Sequence, residues 1–159
     1  MLNKLKHGQT AMEFLMTYGW AILVMLVVVA VLFYLGVLNP QAVAPNSLTF
    51  PSGFSAQEFK VESSGGTGML TLDLGQGTGK AIEILGVACT NSETEPTNPG
   101  NVGNLPLEPG EHALIANGDV ECTGSSDGQY YKGKVYVWYM QADSMVDHKI
   151  IGDLAYRVE

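Results

Sequence analysis

The chain has 159 residues, with sixteen acidic side chains against eight basic ones and a formal charge of −8. That length holds one ordinary domain plus a short appendage rather than two full domains. The acidic balance argues against nucleic acid as a partner, because phosphate binding needs a basic footprint.

From Phe14 to Gln57 there is no Asp, Glu, Lys or Arg, which is a membrane signal. The apolar run Phe14 to Leu38 has 25 residues; as a helix it spans roughly 37 Å, enough to cross a hydrocarbon core of ~30 Å. Lys4, Lys6 and His7 precede it and no lysine or arginine follows before Lys60. The positive-inside bias therefore puts the N-terminus in the cytoplasm and the rest of the chain outside. One charge is out of place. An unpaired carboxylate costs ~2.5–3.5 kcal/mol at mid-bilayer and less near the interface, so Glu13, at the entrance to the run, is expected to have a partner. A secretory signal peptide cut after Ala42-Val43-Ala44 fits poorly, because its apolar segment would far exceed the usual ~7–15 residues and Pro45 would follow the scissile bond. A plain signal anchor fits the length and gives Glu13 no role.

Asn39-Pro40 ends the helical pattern, and Pro45 and Pro51 follow in a linker. Alternating polarity then takes over. In "SAQEFKVES" Phe59 and Val61 share a face with Gln57; in "GMLTLDLG" Leu70, Leu72 and Leu74 oppose Met69, Thr71 and Asp73. "KAIEILGVAC" suits a central strand, and "EHALIAN" a short one. "YKGKVYVWYMQ" and "VDHKIIGDLAYRVE" both alternate, with a hairpin loop expected around Ala142 to Ser144. Val135, Val137 and Tyr139 share one face of the first of these. Tyr136 and Trp138 share the other, and pack either beneath a second layer of the head or against the stem helix or a neighbouring subunit.

Cys89 and Cys122 both fall in the outward part, where an oxidising environment permits a disulfide; buried free thiols are the alternative. The bridge would stabilise by roughly 3–4 kcal/mol on the chain-entropy model, and would tether the long polar loop "TNSETEPTNPGNVGNLPLEPGE". Catalytic constellations are scarce. His7, His112 and His148 lack metal-type spacing, and Asp127-Gly128 and Gly118-Asp119 read as turn chemistry. "LGQGTG", Leu74 to Gly79, reads as a hairpin loop rather than a phosphate loop, since its glycines precede a strand pattern. No catalytic residue, metal or cofactor is expected, and no N-x-S/T sequon occurs.

"KHGQTAMEF" followed by "LMTYGWAILVMLVVVAVLFYLGVLNP" resembles the N-terminus of archaeal type IV pilins, whose class III signal peptide combines a short basic leader, a glycine before the cut, a glutamine after it, a glutamate one helical turn on and an unbroken apolar helix. The resemblance covers residues 1–40. It implies that a prepilin peptidase cuts between Gly8 and Gln9 on the cytoplasmic side, and that the new α-amine of one subunit pairs with Glu13 of another during assembly. Phe14, Leu15, Gly19, Trp20, Leu26, Phe33 and Gly36 would lie in a filament core, where Gly19 and Gly36 allow close helix approach or a local bend, or are ordinary membrane-helix glycines. An assembly ATPase and a membrane platform protein would be the other partners.

The expected fold is α+β: a leader at 1–8, a hydrophobic helix at 9–40 and an extracellular β-rich, sandwich-like head at 41–159. The expected function is structural, as a subunit of a surface filament for adhesion or cell–cell contact and not as an enzyme. A minor pilin, an archaellin-like motility subunit and a membrane-anchored binding protein are the alternatives.

Overall fold

The computed structural model describes residues 3–37, 44–97, 99–116 and 120–159. They form two units that divide between Ala44 and Pro45, a helical stem and a head.

The stem is one helix, α1 (Asn3–Tyr34). No proline interrupts it, and Leu, Met and Ala offset the cost of its many valines. It stops earlier than the proline at position 40 suggested. Gly36 takes φ +68°, the left-handed conformation a glycine adopts without a Cβ penalty. Around it the Gly36 N–H donates to the Phe33 carbonyl at 3.0 Å and the Val37 N–H to the Leu32 carbonyl at 3.2 Å, the two bonds of a Schellman cap. Gly36 thus caps the helix. Asn39-Pro40 and Ala42-Val43 lie outside the described residues.

Nine strands are described in the head: β1 (Ser47–Thr49), β2 (Phe54–Ser64), β3 (Thr67–Gln76), β4 (Ile82–Thr90), β5 (Leu105–Leu107), β6 (His112–Ile115), β7 (Glu121–Thr123), β8 (Tyr130–Gln141) and β9 (Asp147–Arg157). They form one continuous sheet in the order β1-β9-β8-β4-β7-β3-β2. The two stacked layers expected of a sandwich do not form; the sheet is barrel-like. β3 and β4 are not hydrogen-bonded to each other, so Leu74 to Gly79 is no hairpin. Near one pole β7 lies between them, antiparallel to β3 and parallel to β4. Near the other, β5 pairs with β4 and β6 with β3. The ends of the sheet meet beyond β9, where the Glu159 N–H donates to the Val61 carbonyl at 3.1 Å and the Ser63 N–H to the Glu159 carbonyl at 2.6 Å.

The core lies inside this curl. Leu70, Leu72 and Leu74 point inward with Ile84, Val87, Val135 and Val137, following the alternation in the sequence. Gln57 departs from it. A bulge between Ala56 and Glu58 shifts the phase, so that Ala56 joins Phe59 and Val61 against the core while Gln57 is exposed. The head's chain enters beside Tyr130, whose hydroxyl donates to the Pro45 carbonyl at 3.4 Å; we call this the entry pole. At the far pole, buried Gln76 fills the turn after β3. Its Nε2 donates to the carbonyls of Lys80 (2.7 Å) and Leu107 (3.2 Å), and its Oε1 accepts from the Thr78 N–H (2.9 Å) and hydroxyl (3.0 Å).

Leu72 has no solvent exposure, and its truncation would leave a cavity between β2 and β6. Leu72→Ala is expected to cost ~2–5 kcal/mol, read as a fall in the denaturation midpoint. A loss below 1 kcal/mol would contradict the inward packing of β3.

Candidate functional site

The stem carries the first candidate site. Met12–Tyr34 is long and apolar enough to cross a membrane by length and composition. On the helix taken by itself these side chains stand out from the backbone: Phe14 is 62% exposed, Trp20 69%, Leu26 64% and Phe33 66%, and Leu15 is comparable. A Cβ added at Gly19 would meet nothing within 4 Å. Gly8 and Gln9 fall inside α1. Glu13 is exposed on the same helix, at the edge of the apolar span, and Thr17 returns its hydroxyl to the Glu13 carbonyl at 3.0 Å. That bond satisfies the threonine locally, as a polar side chain within an apolar helix requires. The Phe14 and Tyr18 rings meet one turn apart, tilted by 31° with centroids at 4.3 Å.

The second lies at the entry pole, where Cys89 and Cys122 form a disulfide. They are direct partners across the parallel pair of β4 and β7, with Cα atoms 4.4 Å apart, and both are buried. Tyr131 closes over them: its Oη lies 3.6 Å from Cys89 Sγ and donates to the Thr123 carbonyl at 3.3 Å. Burial pushes the Tyr131 phenol well above its ordinary value. The tethered loop is more structured than its composition suggested. It contains β5, and Gly100 exchanges backbone hydrogen bonds with Val87 at 2.8 and 3.3 Å. Pro99 sits so close over Gly86 that an added Cβ would come within 2.5 Å of it. Glu95 of this loop forms an ion pair with Lys149, the cross-strand partner of Trp138. Tyr136 is buried within the head and stacks on Trp138 at 5.9 Å.

A third feature went unread in the sequence. Where β2 and β9 diverge from their closure at Glu159, a groove of about 550 Å³ opens, lined by Gln57, Glu58, Phe59, Lys60, Thr71, Leu114 and Tyr156. The Phe59 and Tyr156 rings meet edge to face at 5.7 Å. Lys60 bridges to Glu62 at 2.7 Å, and that carboxylate holds its ammonium above the usual range. Burial, and then the Glu159 carboxylate, raise the Tyr156 phenol. Phe59 and Tyr156 are far apart in sequence, so only strand order could have joined them. The chain matches no family model, no curated protein and no solved structure.

Two outcomes follow for this pole. Alkylation without reductant should leave the mass unchanged, and reduction should lower the unfolding free energy by roughly 3–4 kcal/mol; adducts on the unreduced chain would contradict the bridge. The folded state holds the Tyr131 proton more tightly than the unfolded chain, so stability present below about pH 10 is lost as pH rises beyond it. Tyr131→Phe should therefore lose less melting temperature between pH 8.5 and 11 than the parent, and equal losses would refute this.

Proposed function

We propose that the chain is the precursor of a filament subunit of the archaeal type IV pilin kind. The carrying observation is the combination in one helix of Gly8-Gln9, Glu13 and an apolar surface that is bare on all sides. A helix with one apolar stripe would be explained by packing on its own head. An apolar surface all round suits lipid before assembly and neighbouring helices after it. Cutting at Gly8-Gln9 creates an amine one turn from Glu13. A subunit docking beside another then matches that cation to the carboxylate as both leave water, and a buried charge without such a match is strongly destabilising.

In this reading the N-terminus faces the cytoplasm until a prepilin peptidase releases residues 1–8. An assembly ATPase and a membrane platform protein drive extraction, and the head faces outward on the filament. The chain itself catalyses nothing. A membrane-anchored binding protein is the second reading, favoured by the groove at Phe59 and Tyr156, whose volume falls in the range of small-ligand sites.

N-terminal sequencing of native protein tests the choice: the mature chain should begin at Gln9, and an intact Met1 or a start at Pro45 would overturn the filament reading. Glu13→Ala should be cut normally and fail to enter filaments. Wild-type filament yield from that variant would remove the pairing argument.

A further inference from the structure

We propose that the head carries two unlike faces of complementary charge and docks through them onto a second copy of this chain. The reasoning starts from the cations. Six of the eight basic residues lie in the head, because Lys4 and Lys6 precede the stem's apolar run. Lys60, Lys80 and Lys149 are in ion pairs. Lys132, Lys134 and Arg157 are in none among the described residues, and these three share one surface. Lys132 and Lys134 alternate with inward-facing residues on β8, and Arg157 lies on the adjacent β9 ladder, opposite Tyr130. All three are exposed. The acids beside them are Asp153, the cross-strand partner of Lys134, and Glu93, which helps line a shallow recess of about 270 Å³ at Lys132 and Lys134.

On β2 and β3 acids outnumber bases, since Lys60, two residues from Glu58 and on the same face, is already paired with Glu62. Glu58 and Asp73 are direct cross-strand partners, and like charges in that position repel at a Cβ separation of ~4.5–5.5 Å. Neither is in an ion pair among the described residues, and nor is Glu121 on β7. Leu114, opposite Asp73 on β6, is 66% exposed and borders the groove beside Glu58. A fold that sets two carboxylates together next to a bare leucine leaves a surface that an incoming pair of cations would stabilise. Lys132 and Lys134, two residues apart on one strand, present their charges ~7 Å apart.

The two faces cannot satisfy each other within one chain. β8 and β3 are separated by β4 and β7 in the strand order and by β9 and β2 across the seam at Glu159, so either way they stand three strand spacings, ~14 Å, apart. A second copy can satisfy both. Because the faces differ, each copy offers one and accepts the other, so the contact is heterologous and propagates as an open row rather than closing as a twofold dimer. The inference rests on the filament reading in one respect: stems packed side by side bring the heads within reach of each other.

The native cysteines are consumed by their own bridge, so introduced ones report cleanly. In the full-length chain, a Lys134→Cys, Glu58→Cys double variant treated in its native membranes with a short bismaleimide should give a ladder of cross-linked species extending beyond the dimer. Each single variant alone should stay monomeric, and a mixture of the two should stop at the dimer. A missing ladder in a chain correctly cut at Gly8-Gln9, or self-dimers of either single variant, would overturn the inference. An uncut chain that still gives the ladder would leave it standing and remove the filament reading instead. Reversing charge with Lys132→Glu and Lys134→Glu should lower capture of wild-type copies at least tenfold, and adding Glu58→Lys and Asp73→Lys to the partner should restore it. Absence of that restoration would also count against the docking.

Discussion

A three-residue strand cannot hold two long strands together by hydrogen bonds alone, and the covalent link from Cys122 to Cys89 is what lets β7 do so. Among the described residues β7 pairs with β3 through Cys122 and Glu121 and with β4 through Cys122 and Thr123, with one further backbone bond on each side, from the Leu70 N–H to the Val120 carbonyl and from the Asn91 N–H to the Thr123 carbonyl. Each ladder bond contributes a net ~0.5–1.5 kcal/mol, comparable in sum with the entropy of ordering the segment. The bridge places one sulfur in the middle of this arrangement and confines the chain between positions 89 and 122. The entry pole of the curl, including Tyr131 and the turn through Ser125, is built around that point. Ser125 continues the theme: its hydroxyl accepts from the Gly68 N–H and donates to the Cys122 carbonyl, each at 2.6 Å, so β3 is tied a second time to the same cysteine.

The stem and the head handle apolar surface in opposite ways. The head encloses its leucines and valines inside a curled sheet and turns charges outward. The stem turns its apolar side chains outward and keeps nothing for itself. At ~25 cal/mol per Å² of apolar surface removed from water, a bare helix of this length gains strongly from any surroundings other than water. The surroundings need only be apolar, which is why one sequence can suit both hydrocarbon and neighbouring helices.

Much of this was legible in the residues. The period-two pattern gave the inward set of β3 and β8 directly, and β4 occupies the central place its even apolarity suggested. The hairpin at Ala142 to Ser144 forms between β8 and β9. Other features were not legible because they depend on register between distant segments. The bulge at Gln57 reversed the phase of half a strand, and no local pattern announces a bulge. The short strands β1, β5 and β7 have too few residues to display a period. The insertion of β5, β6 and β7 between β3 and β4 turned an expected sandwich into one curled sheet, and adjacency in sequence argued the other way. The opposition of Glu58 and Asp73 was hidden for the same reason: each residue alone is an ordinary polar position on a half-exposed strand.

The backbone of Glu159 is hydrogen-bonded on both sides of its peptide unit to β2, where the ends of the sheet meet. In mechanical terms it acts as a zip's end-stop: the seam cannot part at this end without first releasing it. The residue before it is held as well, with Val158 buried and its N–H bonded to the Gln129 carbonyl. Parting the seam is therefore a local opening of the fold, and the free energy of that opening is set by the same two bonds that close the curl.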